Sequence, residues 1–198
     1  FKIEPGSSVF TIGSCFARHI DRHLKRSGFD VPAIDFVDEY TAEFGIPGES
    51  LLNKYTPPSV WQELSWTKRI LDRDGEVTLE DIEPFLLQVD TDKWIDMHRM
   101  STEEPADKEL LLRKRRSFFN LYRRAFACDV CIITLGLIEA WFDSKTGLFV
   151  EFHPQKARSG ERSRLSFRRL SFQECFDNVR SSIELLSTDP NRKILMTV

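Results

Sequence analysis

Long apolar runs are missing from this chain: nothing in its 198 residues approaches the roughly 18 to 20 consecutive apolar positions that a membrane-crossing helix needs. A membrane is therefore excluded as a partner. Phe1-Lys2-Ile3-Glu4-Pro5 has neither the basic start nor the apolar stretch of a secretory signal, and a start at Phe1 without Met reads as a fragment. Cysteine is scarce. Cys15, Cys128, Cys131 and Cys175 are too few for the disulfide framework of a small secreted domain, so a reducing cytoplasm is the expected compartment. Excess charge is lacking as well, with 28 Lys and Arg against 31 Asp and Glu, a formal net charge of −3 that makes nucleic acid an unlikely partner. What is present is ordinary for a globular protein: 41% hydrophobic residues, 30% charged, and length enough for one core that needs no metal or disulfide staple.

Hydrophobic patterning divides the chain into alternating elements. Ser8 to Ile12 reads as a short buried strand. From Cys15 to Ser27 the residues Phe16, Ile20 and Leu24 recur every four positions, predicting a helix with one core stripe that Gly28 stops. Asp30 to Phe36 reads as a second strand, irregular because of Pro32, and Glu39 to Lys54 as a loop. Pro57-Pro58-Ser59 opens a helix, and Lys93 to His98 alternates as a strand. Ser101-Thr102-Glu103-Glu104 is a capping box before a long helix reaching about Phe126.

Val130 to Leu135 is the clearest strand, a continuous apolar run of the kind a parallel sheet covered on both faces requires. Residues 140–143 and 148–152 flank Ser144-Lys145-Thr146-Gly147 as a hairpin outside the main sheet. A basic loop follows from Pro154 to Arg169. Ser171-Phe172-Gln173-Glu174 is a second capping box, opening a helix that buries Phe176, Val179, Ile183 and Leu186, and Lys193 to Val198 is a further buried strand. The order is that of a doubly wound α/β domain, whose ligands sit at the carboxyl ends of the strands. Gly13-Ser14-Cys15 and Gly136-Leu137-Ile138-Glu139 stand at such ends.

Two nucleophilic side chains at a strand-to-helix handover invite a chemical reading. A helix N-terminus favours thiolate, which suits Cys15; Ser14 needs an adjacent base. The plainer alternative is that Ser14 caps the helix and Cys15 packs.

The segments IGSCFA, LLNKYTPPSVWQEL, TLGLIEAW and ILMTV, in that order, resemble the GSCFA domain family, grouped with the SGNH (GDSL-type) hydrolases, and the resemblance spans almost the whole chain. It implies a flavodoxin-like three-layer parallel sheet with an extra hairpin, a single domain over residues 1–198 truncated at its C-terminal end, and acyl-transfer chemistry. Register with the SGNH Gly-Asp-Ser corner sets Ser14 in the aspartate slot and Cys15 in the serine slot. The oxyanion donors implied are the corner at Gly13, a glycine of the second block (Gly48) and the third block at Gly136, where Ile138 replaces the expected asparagine. Asn53 is the substitute donor, or caps a turn. Glu139 beside Trp141 is either a pocket acid, base or acceptor, or a surface carboxylate of the hairpin. The late Asp-x-x-His of SGNH enzymes is not in the sequence, leaving a histidine past Val198, His98 or His153 to move the proton. His153 is similar in position to a histidine of some GSCFA relatives, and Asp96, two residues from His98 on one strand face, is placed to orient that imidazole.

The remaining motifs are weaker. His19 and His23, four apart, read as helix flank because no Glu follows the first as in a zinc protease. Cys128 and Cys131 enter a strand and read as core, and Cys175 as half-buried. Arg113 to Arg116 reads as a solvated helix face. The loop carrying Lys156, Arg158, Arg162, Arg164, Arg168 and Arg169 is an anion site or a linker. The sequence thus implies an esterase or acyltransferase acting on an acylated small molecule or glycan, without metal or cofactor, or a binding module of the same fold.

Overall fold

The computed structural model describes residues 2–46, 49–73, 75–99, 104–151, 155 and 159–197. Gly48, His153, Lys156, Arg158 and most of the 101–104 capping box lie outside the described residues. The centre is a parallel sheet in which β4 (Val130–Thr134) pairs on one side with β1 (Val9–Gly13) and on the other with β8 (Lys193–Thr197). The register sets Gly13 beside Thr134 and Thr134 beside Thr197, so all three strands end at one level. β1 and β4 are buried throughout, as apolar runs covered on both faces must be. β8 departs from expectation: Leu195 and Met196 are exposed, because no described strand pairs with its other side.

Helix α1 (Cys15–Arg26) packs back onto one sheet face, where Val9, Val130 and Ile132 meet the half-buried Ile20 and Leu24. The predicted stripe is rotated. Phe16 is 56% exposed, whereas Ala17, Arg18 and Asp21 are buried. Polar pairing turns the helix: Thr11 Oγ1 donates to Asp21 Oδ1 at 2.5 Å, Arg18 Nη2 donates to Thr11 Oγ1 at 2.9 Å, and Arg18 Nη1 meets Asp21 Oδ2 at 3.0 Å. The opposite face holds the main core, in which Phe10, Ile12, Cys131 and Ile133 meet α2 (Pro32–Phe44), α3 (Pro57–Arg73) and α5 (Lys108–Tyr122).

The segment expected as a second strand is therefore the start of α2. Pro32 fits its first turn, Ala33, Phe36, Tyr40 and Phe44 repeat at helical spacing, and Gly45 closes it with φ 68° and a bond to Thr41 O. Only Asp30 keeps a trace of strand, bridging Ser8. Helix α5 begins later than the sequence suggests: the capping residue is Asp107, whose carboxylate accepts from Leu110 N at 2.8 Å.

A short helix α4 (Leu79–Ile82) leads to the hairpin of β2 (Leu86–Asp90), which the sequence did not betray, and β3 (Lys93–Asp96). β5 (Glu139–Asp143) and β6 (Leu148–Val150) form the expected hairpin. After α6 (Ser159–Arg162), β7 (Leu165–Arg169) adds to β5, so much of the expected basic loop is structured. Two of its charges are used internally. Arg164 Nε donates to Asp143 Oδ1 at 2.6 Å, and Arg168 bonds Glu174 at 2.7 Å while stacking over Phe142. Helix α7 (Phe172–Leu186) opens with the predicted box, Ser171 and Glu174 capping each other, but Phe176 is exposed rather than buried. The chain is thus a mixed α/β structure built on a parallel sheet with two small antiparallel sheets beside it.

A side chain at Gly13 has no room: a Cβ would overlap Thr134 O and Oγ1 and lie 2.8 Å from the Thr134 carbonyl carbon, at φ 150°. At Gly136 a Cβ would make ordinary contact with Ser14. Gly13→Ala should accordingly cost at least about 3 kcal/mol or prevent folding, whereas Gly136→Ala should shift the urea midpoint little. Equal midpoints for the two variants would contradict this crossing.

Candidate active site

Three segments converge where β1 ends. Ser14 N donates to Thr134 O at 3.3 Å and to Thr134 Oγ1 at 3.2 Å, tying the corner to β4. Lys54 N donates to Gly13 O at 2.6 Å, and Asn53 bridges Gly13, so the 53–55 segment extends the sheet edge past β1. Tyr55 O in turn accepts from Gly136 N at 3.3 Å and from Leu137 N at 3.1 Å. The corner, the second block and the third block of the sequence are thereby one constellation.

Within it the two nucleophile candidates differ. Ser14 is buried and its Oγ accepts from Phe16 N at 3.3 Å, the bond of a helix cap. Cys15, one residue on, is exposed in the first turn of α1. Helix geometry gives the Cys15 N–H no intrahelical acceptor, whereas Ser14 N and Gly136 N are already used. Asn53 is buried, with Nδ2 donating to Tyr55 Oη at 3.2 Å. Burial raises the Tyr55 pKa, and Cys15 and Glu151 are both close enough to raise it further. Glu151 follows β6 and carries Oε1 buried without a hydrogen-bond partner among the described residues. Neither Tyr55 nor Glu151 stands out in the sequence; their only signal is position, beside Asn53 and just before His153.

His98 is elsewhere, inside a buried charge cluster. Lys54 Nζ lies 3.2 Å from Glu63 Oε2 and donates to His98 O at 2.6 Å. Arg99 Nη2 donates to Glu63 Oε1 at 2.9 Å, and Arg115 holds Asp96 through Nε and through Nη2, the latter at 2.7 Å. The imidazole has both nitrogens engaged, Nδ1 at 3.4 Å from Glu63 Oε2 and Nε2 against Gln62. Asp96 does not orient that ring; its Oδ1 accepts from His98 backbone N at 2.8 Å. Burial, then the charge of Lys54, lowers the His98 pKa to about 3. Burial likewise lowers Lys54 to about 8 against the pull of Glu63, while burial of Glu63 is outweighed by Arg99, Lys54 and Arg115, which hold it well below the ordinary carboxylate range. His98 is thus a neutral structural group. The run 113–116 is correspondingly not a solvated face, since Lys114 and Arg115 are buried.

Glu139 is exposed at the start of β5, opposite Arg169. His19 and His23 are exposed on α1, His19 paired with Arg22 at 2.9 Å. Cys128 and Cys131 are buried with sulfurs 3.3 Å apart, and no cluster of His, Cys, Asp and Glu suited to a metal occurs among the described residues. No described helix is long and apolar enough to cross a membrane.

Residues 8–198 match the sequence profile described as the GSCFA family. Comparison with curated proteins and with solved structures returns no match.

The buried cluster makes folding acid-sensitive. Between pH 6.5 and about 3 the unfolded chain protonates His98 while the folded one does not, so stability falls as pH falls, by up to about 1.4 kcal/mol per pH unit. Glu63 adds to the loss below pH 4.5. Urea midpoints from pH 7 to 4.5 should decline, and His98→Asn should flatten that decline; an unchanged slope in the variant would remove His98 from the cause.

Proposed function

The chain belongs to the GSCFA family, and from that premise we propose that it is an SGNH-type acyl-transfer domain of flavodoxin-like architecture, hydrolysing an ester or moving its acyl group onto a sugar hydroxyl. One observation carries the choice of nucleophile: Ser14 is spent on capping α1, while Cys15 is exposed beside it. Cys15 Sγ attacks the acyl carbonyl carbon; the S–C bond forms, the ester C–O bond breaks, and the alcohol leaves with a proton. Water or a sugar hydroxyl then cleaves the thioester and restores the thiol. The Cys15 N–H at the positive end of α1 faces the developing oxyanion, with Asn53 beside it. Proton movement is assigned to Tyr55, whose pKa the neighbouring Cys15 and Glu151 both raise, with the Glu151 carboxylate oxygen, unpartnered among the described residues, behind it. His153, two residues after Glu151 in sequence, remains an alternative base. A nucleophile that must stay reduced favours the cytoplasm.

A second reading has its own support. With Ser14 N and Gly136 N already donating to Thr134 and Tyr55, the oxyanion has few donors, as a non-catalytic glycan- or acyl-binding module permits.

In the full-length protein, Cys15→Ala should reduce turnover of an aryl ester to background with nearly unchanged melting temperature. Ser14→Ala should retain turnover and lose about 1 kcal/mol through the missing cap. The opposite pattern would move the nucleophile to Ser14. Bulk-like reactivity of both residues toward iodoacetamide and fluorophosphonate would favour the binding module.

A further inference from the structure

An apolar groove of about 320 Å³ opens where β4 runs out, between the 135–138 segment, α7 and the edge strand β8. Leu137 and Ile138 form one wall, Phe176 and Val179 the other, and Met196 closes the side. No residue lining the groove carries a side-chain nitrogen or oxygen. Leu137, Ile138, Phe176 and Met196 are all exposed there, an arrangement that leaves apolar area in water unless something covers it.

Gly136 belongs both to this groove and to the candidate active site. A Cβ built on it would lie 3.8 Å from Ser14 Cβ and 3.9 Å from Ser14 Oγ, so the Gly136 backbone that lines the groove packs beside Ser14, the residue preceding Cys15. We infer that the groove receives the aliphatic tail of the acyl group, and that the substrate class is a medium-chain fatty acyl ester or thioester rather than an acetyl ester. This assignment rests on the acyl-transfer reading for its direction, since the tail is what extends from a carbonyl placed at Cys15.

The chemistry of the walls selects this occupant. A peptide or a glycan laid in the groove would bury backbone or hydroxyl groups against walls with no polar side chain to answer them, at a cost of several kcal/mol. A polymethylene chain loses nothing. At about 30 Å³ per water-sized group, the volume holds a chain of about ten carbons.

Cys175 lines the groove and is half-buried, and burial raises its thiol pKa, so it reports occupancy directly. The test is alkylation of full-length protein by N-ethylmaleimide, read at Cys175 by peptide mass, with acetate, hexanoate or decanoate present. Decanoate should slow labelling at least tenfold, acetate should not, and each added methylene should tighten protection about two- to fourfold. Phe176→Asp should weaken the protection, and Cys15→Ala should leave it intact. Absence of protection by decanoate would overturn the assignment. So would a Cys175 that stays inert before any fatty acid is added even at alkaline pH, where its raised thiol ionises, because another part of the protein then fills the groove. Shielding that grows with protein concentration alone would overturn it too, by making a second copy the occupant. The two ideas fail separately: ester turnover unaffected by Cys15→Ala removes the catalytic reading, and loss of Cys175 shielding removes the groove.

Discussion

The close crossing of Gly13 and Thr134 is the constraint from which the rest of the site follows. Without a side chain on Gly13, β1 ends in contact with the Thr134 carbonyl, and Ser14 N turns directly into β4. That turn sets the start of α1 and makes Ser14 its cap, which leaves Cys15 as the first exposed side chain of the helix. On the free side of Gly13 the 53–55 segment attaches through Lys54 N, and Tyr55 O then gathers the backbone after β4. A single close backbone approach thereby brings together three segments that are distant in sequence.

Beneath this corner lies a cluster with three cations, Lys54, Arg99 and Arg115, and two carboxylates, Glu63 and Asp96. Such a cluster contributes little net stability, because desolvation offsets the attraction, yet each member is expensive to leave unpaired. Its effect is positional. Lys54 is anchored through its side chain to Glu63 and through its backbone to Gly13, so the cluster fixes the segment that carries Asn53 and Tyr55. The stacking of Arg99 on Phe118 at 3.5 Å connects the same cluster to the main core. The corner is held from below by charge and from the side by the sheet.

Much of the sheet was legible in the sequence because buried parallel strands are continuous apolar runs; β1 and β4 needed no further information. Helix α7 was legible through its capping box. The start of α2 was not, since Val31-Pro32-Ala33-Ile34 is apolar enough for a strand, and the helical repeat shows only when Tyr40 and Phe44 are included. Phe16 misled for another reason: the contact face of α1 is set by Thr11, Asp21 and Arg18, and hydrophobic periodicity cannot register a polar seam. At the site, the Gly13-Ser14-Cys15 corner and Asn53 could be named from sequence, but the division of labour between Ser14 and Cys15 could not. It depends on one hydrogen bond to Phe16 N. Glu63 and Arg115, charged residues among the apolar inner positions of α3 and α5, were the available signs of the buried cluster that claims His98.

The central claim is that the corner presents a thiol for covalent acyl transfer, and the most direct measurement is to trap the acyl-enzyme. Full-length protein quenched in acid during reaction with an activated acyl ester should carry one acyl mass on the peptide containing Cys15, released by neutral hydroxylamine as a thioester is. An acyl group found as a hydroxylamine-resistant ester on Ser14, or no adduct at any time during turnover, would contradict the account.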